Sequence, residues 1–179
     1  TLAPNLYRKE KYRLQVELLK LQEDAITNKR KIAVCFEGRD TAGKSSTINF
    51  FSEHLMPSNF KYVHLGIPTN EERLNWFERW ERHLPKKGEL VLFDRSWYTR
   101  ALIEPTLGYC TKTDYKKFMN KVNKWEKNLI KSDIELIKFY FSIDQDQQKR
   151  RLSARKNSKL KYWKLSKSCL LYTSPSPRD

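Results

Sequence analysis

The feature that most constrains this chain is the segment at residues 38–45, which reads GRDTAGKS and matches G-x-x-x-x-G-K-[ST] in full. An apolar, strand-like run precedes it at residues 32–36, and a helix-like segment follows it. Glycines let backbone N–H groups turn towards a phosphate, and the helix behind them points its positive dipole end at the same place. Lys44 is then placed to reach a phosphate, and the Ser45 hydroxyl to ligate Mg²⁺. The segment therefore predicts a phosphate-binding loop, formed by Gly38, Arg39, Thr41, Ala42, Gly43, Lys44, Ser45 and Ser46.

Apolar periodicity divides the rest of the chain into alternating helices and strands. Strands are predicted at residues 31–36, 61–65, 90–93 and 136–143. The last of them is expected to be mostly buried, because LIKFYFSI is nearly continuous in apolar residues. Helices are predicted at residues 5–28, 45–55, 69–84 and 113–131, with a basic helix beginning at Asp146. This alternation is typical of a layered α/β fold with a parallel sheet.

Two of the predicted helices carry stripes that should face the core. In the first helix the inward residues are predicted to be Leu14, Leu18, Leu21 and Ala25. In the helix at 69–84 they are predicted to be Leu74, Phe77, Trp80 and Leu84. Trp76 and Trp80, four residues apart, could stack on a nucleotide base, but aromatic residues at this spacing more often form core.

The chain is strongly basic, with 36 Lys and Arg against 21 Asp and Glu and a formal net charge of +15. This excess indicates attraction to a polyanion, namely nucleic acid, an anionic membrane or a polyphosphate, although a basic surface without a single partner is an open alternative. No apolar run approaches the roughly 20 residues of a membrane-spanning helix. The three cysteines lack metal-ligand spacing, so we expect a reduced protein in the cytoplasm.

Two aspartates are expected near the loop. Asp40 lies inside it, and Asp94 ends the third predicted strand. Because ligands of open parallel sheets bind at the carboxyl ends of the strands, both carboxylates should lie close to Lys44 and Ser45. Two carboxylates beside a phosphate imply a cation, which predicts Mg²⁺ held by Asp40, Asp94 and Ser45. For Asp40 a loop-stabilising hydrogen bond is an equal alternative.

Arginines indicate the class of reaction. Arg39 lies in the loop, Arg95 directly follows Asp94, and Arg100 comes five residues later. Arg150, Arg151 and Arg155 lie on the basic helix. Phosphoryl transfer depends on positive charge placed around the transferred group, and these arginines could supply it. A solvated basic face explains many of the lysines equally well, but it explains Arg95 poorly.

Four segments, FEGRDTAGKSST, PTNEERLNWFERWERHLPKKGE, VLFDRSWYTRALIEP and KYWKLS, together resemble the polyphosphate kinase 2 family. The likeness extends in order from LLKLQEDAI to Ser166, and its most specific part is FDRSWY-x-RA. The first segment alone also resembles thymidylate kinase. The resemblance implies a P-loop kinase fold of three α/β/α layers, dependence on Mg²⁺, and phosphate transfer between inorganic polyphosphate and ADP or AMP, with GDP as a further substrate. It also implies a homo-oligomer.

The resemblance assigns roles to particular residues. It implies metal binding by Asp40 and Asp94, phosphate binding by Lys44, Arg95 and Arg100, and a lid arginine at Arg155. The catalytic set is therefore Asp40, Lys44, Asp94, Arg95 and Arg155. Ser45 stands where the family is expected to have glycine more often, and the family pattern stops at Ser166, which predicts a truncated helical lid.

The predicted organisation has four parts: an amphipathic helix at 1–30, a P-loop kinase core at 31–144, a partial basic lid at 145–168, and a non-native or disordered tail at 169–179. Two other functions stay open, an ATP-dependent nucleoside monophosphate kinase and a non-enzymatic polyanion-binding module. Neither a membrane nor a specific nucleic acid is an expected partner. The acceptor nucleotide is left open between AMP and ADP.

Overall fold

The structure is a computed structural model that describes residues 3–162, in which four parallel strands form one sheet. The strands are β1 (Lys31–Gly38), β2 (Phe60–Val63), β3 (Glu89–Asp94) and β4 (Ile134–Phe141), in the spatial order β2-β3-β1-β4. β1 is therefore an inner strand, paired with β3 on one side and β4 on the other. This order brings the carboxyl ends of β1 and β3 side by side.

Helices connect the strands and cover the sheet. They are α1 (Pro4–Thr27), α2 (Lys44–Ser52), α3 (Asn70–Leu74), α4 (Trp76–Glu81), α5 (Thr99–Leu102), α6 (Glu104–Leu107), α7 (Lys112–Lys131) and α8 (Gln145–Lys156). A short 3₁₀ helix, Pro57–Asn59, precedes β2. Within residues 3–162, no helix is long and apolar enough to cross a membrane. The predicted tail at 169–179 lies outside the described residues.

Two hydrophobic clusters, one on each face of the sheet, confirm the layered α/β fold. Odd-numbered residues of β1 and β3, such as Ala33 and Val91, pack with the tryptophans of α4 and with α7. Even-numbered residues, such as Ile32 and Leu90, pack with Ala25 of α1 and with α2. Because successive residues of a strand point to opposite faces, this alternation gives three layers, with helices on both sides of the sheet.

The inward face of α1 differs from the prediction. Leu14 is exposed, whereas Gln15 and Gln22 are buried. Gln15 donates hydrogen bonds to the carbonyl of Phe50 and to Glu53, and Gln22 donates to and accepts from the backbone of Met56. A hydropathy pattern ranks glutamine as polar and cannot register that its amide is satisfied across an interface.

The helix predicted at 69–84 is divided at Asn75, whose φ and ψ of −107° and 55° leave the helical region. The break rotates the following turn, so that Leu74 is 85% exposed and Trp76 is buried in its place. Thr69 and Glu72 form the predicted capping box. Trp76 and Trp80 lie in the core, as their spacing predicted.

The prediction that the fourth strand is mostly buried is wrong. Among residues 3–162, β4 has a strand neighbour on one side only, and much of it is exposed. Phe139 and Tyr140 retain 41% and 63% of their accessible surface. A continuous apolar run is typical of an inner parallel strand, and the sequence alone does not reveal where in the sheet the strand lies.

Candidate phosphate-binding and metal site

Strand pairing between β1 and β3 builds the candidate site. Phe36 on β1 stands opposite Asp94 on β3, so the aspartate lies beside the strand end from which the loop begins. Gly38 has φ of +138°, and a Cβ on it would lie 2.3 Å from the carbonyl oxygen of Phe141 on β4. Gly43 has φ of +109° and caps α2 in the left-handed region. Both positions need glycine, Gly38 for space and Gly43 for conformation.

The first turn of α2 places Lys44, Ser45 and Ser46 directly after the loop. Backbone N–H groups of a first helical turn lack partners within the helix, so they are available to an anion. Thr41 has φ of +64°, and its buried hydroxyl has no hydrogen-bond partner among residues 3–162. The predicted loop residues therefore lie between the end of β1 and the first turn of α2, as the motif requires.

Lys44 is a buried cation at the centre of this loop. Only 6% of it is exposed, and its Nζ donates to the carbonyl oxygens of Gly38 and Arg39 at 2.9 and 2.8 Å. Burial, and after it the charge of nearby Arg95, lower the pKa of Lys44 to about 8, against the opposing charges of Asp94, Asp40 and Glu37. An anion bound in the loop would favour the charged form of the lysine.

Asp94 and Ser45 form the part of the site that could hold a metal. The Ser45 hydroxyl donates to Asp94 Oδ2 at 2.7 Å, and Tyr62 Oη donates to the same oxygen at 3.0 Å. In residues 3–162 no group of three or more His, Cys, Asp or Glu side chains could hold a metal ion. Mg²⁺ needs no such cage, since it is usually bound by one or two protein ligands together with substrate phosphates and water. An adjacent hydroxyl and carboxylate fit that pattern.

Helix α8 contacts the other side of the loop. Gln148 donates to the carbonyl of Asp40 at 3.2 Å, and Arg151 donates to the carbonyl of Thr41 at 2.8 Å. Arg155 Nη1 lies 3.2 Å from Asp40 Oδ2. The predicted lid arginine and the loop aspartate are thus brought together, with the basic helix over the loop.

Arg95 adopts a left-handed conformation, with φ of +70°. Its N–H donates to the carbonyl of Phe36, and the following residue, Ser96, donates from both its N–H and its hydroxyl to Glu37 Oε1. Burial raises the pKa of Glu37, although these hydrogen bonds and the charge of Arg95 oppose the shift. Sequence reasoning missed Glu37. Its position directly before the first loop glycine was the available signal.

Arg100 lies in a separate buried cluster. It is 2% exposed, and its guanidinium is 4.0 Å from the ring centroid of Trp76. Its Nε lies 3.3 Å from Glu104 Oε2, and one Nη donates to the carbonyl of Arg73. The other, Nη1, has no hydrogen-bond partner in the described part of the chain. The structure gives no direct contact between Arg100 and the described loop residues.

A phosphate loop after the first strand, an aspartate at the end of the neighbouring strand and a basic helix over the loop together define a protein with a P-loop kinase fold. The particular family follows from the sequence. The family model for polyphosphate kinase 2 (PPK2) matches residues 1–172, and the chain belongs to that family.

Named relatives agree with this family. A GDP-polyphosphate phosphotransferase of Pseudomonas aeruginosa is 44% identical over 163 residues, which are 90% of this chain and 46% of that protein. An ADP-polyphosphate phosphotransferase of the same organism is 42% identical over 92% of this chain and 55% of its own length. The chain therefore spans about half the length of the curated relatives it matches.

A crystal structure of polyphosphate kinase 2 from Arthrobacter aurescens has the same fold. It superposes with a TM-score of 0.83 at 25% identity, over 91% of this chain and 60% of that one. The family's P-loop kinase fold is thus present in the part of the chain that the structure describes.

Proposed function

We propose that this chain transfers a terminal phosphate between inorganic polyphosphate and a nucleoside diphosphate or monophosphate. The observation that carries the proposal is the buried Lys44 cation, enclosed by loop carbonyls beside the Ser45–Asp94 pair. A phosphate is the ligand that this combination of cation, helix N-terminus and candidate metal ligands fits. The relatives' names, which specify GDP and ADP, supply the class of acceptor.

Each site residue has a proposed role. Ser45 and Asp94 would hold Mg²⁺, with Asp40 contributing directly or through water, and the metal would neutralise charge on the phosphates. Lys44 and the loop N–H groups bind phosphate oxygens. Arg95 and Arg155 stabilise the charge that spreads over the transferred group during in-line displacement.

Arg100 is proposed to bind a substrate phosphate through Nη1, which has no hydrogen-bond partner within residues 3–162. Since the side chain is almost fully buried, this role needs the Trp76 and Glu104 contacts to open on binding. A kinase that uses ATP and a nucleoside monophosphate would share the loop and the aspartates. The net charge of +15 favours a long polyanion as the donor instead. Cytoplasmic location and homo-oligomer formation stay predictions.

The test is ATP or GTP formation from polyphosphate. Purified chain would be incubated with polyphosphate, Mg²⁺ and either ADP or GDP, and the triphosphate measured with a coupled luciferase or a chromatographic assay. Asp94→Asn should lower the rate by roughly two orders of magnitude, because it removes a charge aimed at the metal. Asp133→Asn is the matched control, since Asp133 lies at the opposite end of the sheet with φ of +60°, which asparagine tolerates.

The control variant should keep wild-type activity. Phosphorylation of dTMP from ATP, with no product from polyphosphate, would contradict the proposal and favour the monophosphate kinase. Full activity of the Asp94→Asn variant would remove Asp94 from the metal site.

A further inference from the structure

Two consecutive residues at the end of β1 hold the backbone on both sides of the Arg95 Cα. The carbonyl of Phe36 accepts the N–H of Arg95 at 3.0 Å. Glu37 Oε1 accepts both the N–H and the hydroxyl of Ser96, each at 2.6 Å. Glu37 is 6% exposed and Ser96 is fully buried, so water does not compete for these hydrogen bonds.

The conformation held in this way is an uncommon one. Arg95 has φ of +70°, a region in which the Cβ of an L-residue crowds the backbone. Without the two anchors, the chain leaving β3 would relax to an ordinary conformation, and the Arg95 side chain would project in another direction. With them, Arg95 is held against the end of β1, the strand from which the phosphate loop begins.

We propose that Glu37 is a positioning residue that fixes the backbone turn at Arg95 and thereby holds the Arg95 guanidinium beside the phosphate loop. The feature that matters is the acceptor oxygen Oε1, which takes both Ser96 hydrogen bonds, rather than the negative charge. The inference rests on the proposed function only in taking the ligand of Arg95 to be a phosphate.

A double-mutant cycle tests this role. Binding of tripolyphosphate by the whole chain, measured by isothermal titration calorimetry, would be compared for the wild type, Glu37→Ala, Arg95→Ala and the double variant. Each single variant should weaken binding by about tenfold, the effect of one charged hydrogen-bonding group. The double variant should bind no more weakly than Arg95→Ala, because Glu37 acts through Arg95.

Two conservative variants separate positioning from folding. Glu37→Gln keeps an oxygen at Oε1 and should bind within about twofold to threefold of the wild type. Ser96→Ala should weaken binding in the wild-type background and have no further effect beside Arg95→Ala. Urea midpoints identify any variant that is not folded, and these two changes still decide the question if Glu37→Ala does not fold.

The inference would be overturned if the double variant lost affinity by the product of the two single losses, or if Glu37→Ala bound normally. It would also be overturned if Glu37→Gln and Glu37→Ala lost the same affinity, or if the wild type did not bind tripolyphosphate. ATP formation from polyphosphate, measured on the same samples, separates the two claims. If the losses in binding free energy are non-additive but no ATP forms, only the proposed function is refuted. If ATP forms and the losses are additive, only the positioning role is refuted.

Discussion

Replacing Lys44 with methionine should weaken phosphate binding severely and yet leave the ligand-free chain as resistant to urea at pH 7 as the wild type, or more so. The reason is that Lys44 is a buried cation whose pKa is lowered to about 8, first by burial and then by Arg95. Burying this charge without a ligand lowers the free energy of unfolding of the chain. Methionine occupies similar volume without a charge.

The magnitude follows from the pKa. The difference between 10.5 in the unfolded chain and about 8 in the fold corresponds to a cost of about 3 kcal/mol at pH 7. Removing the charge therefore stabilises the methionine variant. In the opposite direction, the carbonyls of Gly38 and Arg39 lose their donor, and each costs about 1–3 kcal/mol if no water replaces that hydrogen bond. Because Arg39 is partly exposed, water can replace the lysine there.

The pH dependence isolates the charge from the lost hydrogen bonds. Between pH 8 and 10.5 the unfolded chain binds the Lys44 proton more than the fold does, so this contribution raises wild-type stability as pH rises. The penalty is complete below pH 8 and absent above 10.5. The stability advantage of the methionine variant should therefore shrink by about 3 kcal/mol across this range.

Urea unfolding followed by tryptophan fluorescence, at several pH values from 7 to 10.5, measures that difference. Titrating groups that do not interact with Lys44 contribute equally to both proteins, so their contributions cancel in the difference. Lys121→Met, at an exposed position of α7, is the matched control and should differ from the wild type by a constant amount. A Lys44→Met difference that does not change with pH would refute the reasoning, as would one that grows towards pH 10.5.

Three further predictions concern other parts of the site and core. Tyr62→Phe removes a hydrogen bond that orients Asp94, and it should raise the Mg²⁺ concentration for half-maximal activity by up to about tenfold, with Tyr140→Phe as an unaffected control. Arg155→Ala should lower kcat but change the free energy of unfolding by less than about 1 kcal/mol, because its ion pair is partly exposed. Trp80→Ala should lower the free energy of unfolding by about 3–5 kcal/mol, measured by urea denaturation, because Trp80 is 1% exposed.

The phosphate loop and Asp94 were predictable because the signals for them are local. Strand, loop and helix follow one another in β1 and α2, and each has a period or motif of its own. The place of Asp94 needed only one added rule, that parallel strands end at the same edge. The pairing of Phe36 with Asp94 confirms it.

The arrangement around Arg95 could not be predicted, because it depends on contacts between distant parts of the chain. Glu37 and Ser96 are 59 residues apart, and neither belongs to the phosphate-loop motif. A positive φ at arginine has no sequence signal, since arginine is not enriched in that region as glycine and asparagine are. The buried glutamines of α1 were missed for a related reason, because their partners, the backbone of Phe50 and Met56 and the side chain of Glu53, lie in and just after α2.

Gly38 illustrates how one residue can have a second purpose that its motif does not reveal. As the first glycine of the loop, it is explained by the approach of a phosphate. Its register partner on β4 is Phe141, whose carbonyl oxygen occupies the space that a Cβ would need. An alanine at this position would push β4 away from β1 before any ligand is bound. Loss of activity in a Gly38 variant would therefore not by itself identify phosphate contact, and strand pairing would have to be measured as well, for example by hydrogen exchange of the β4 amides.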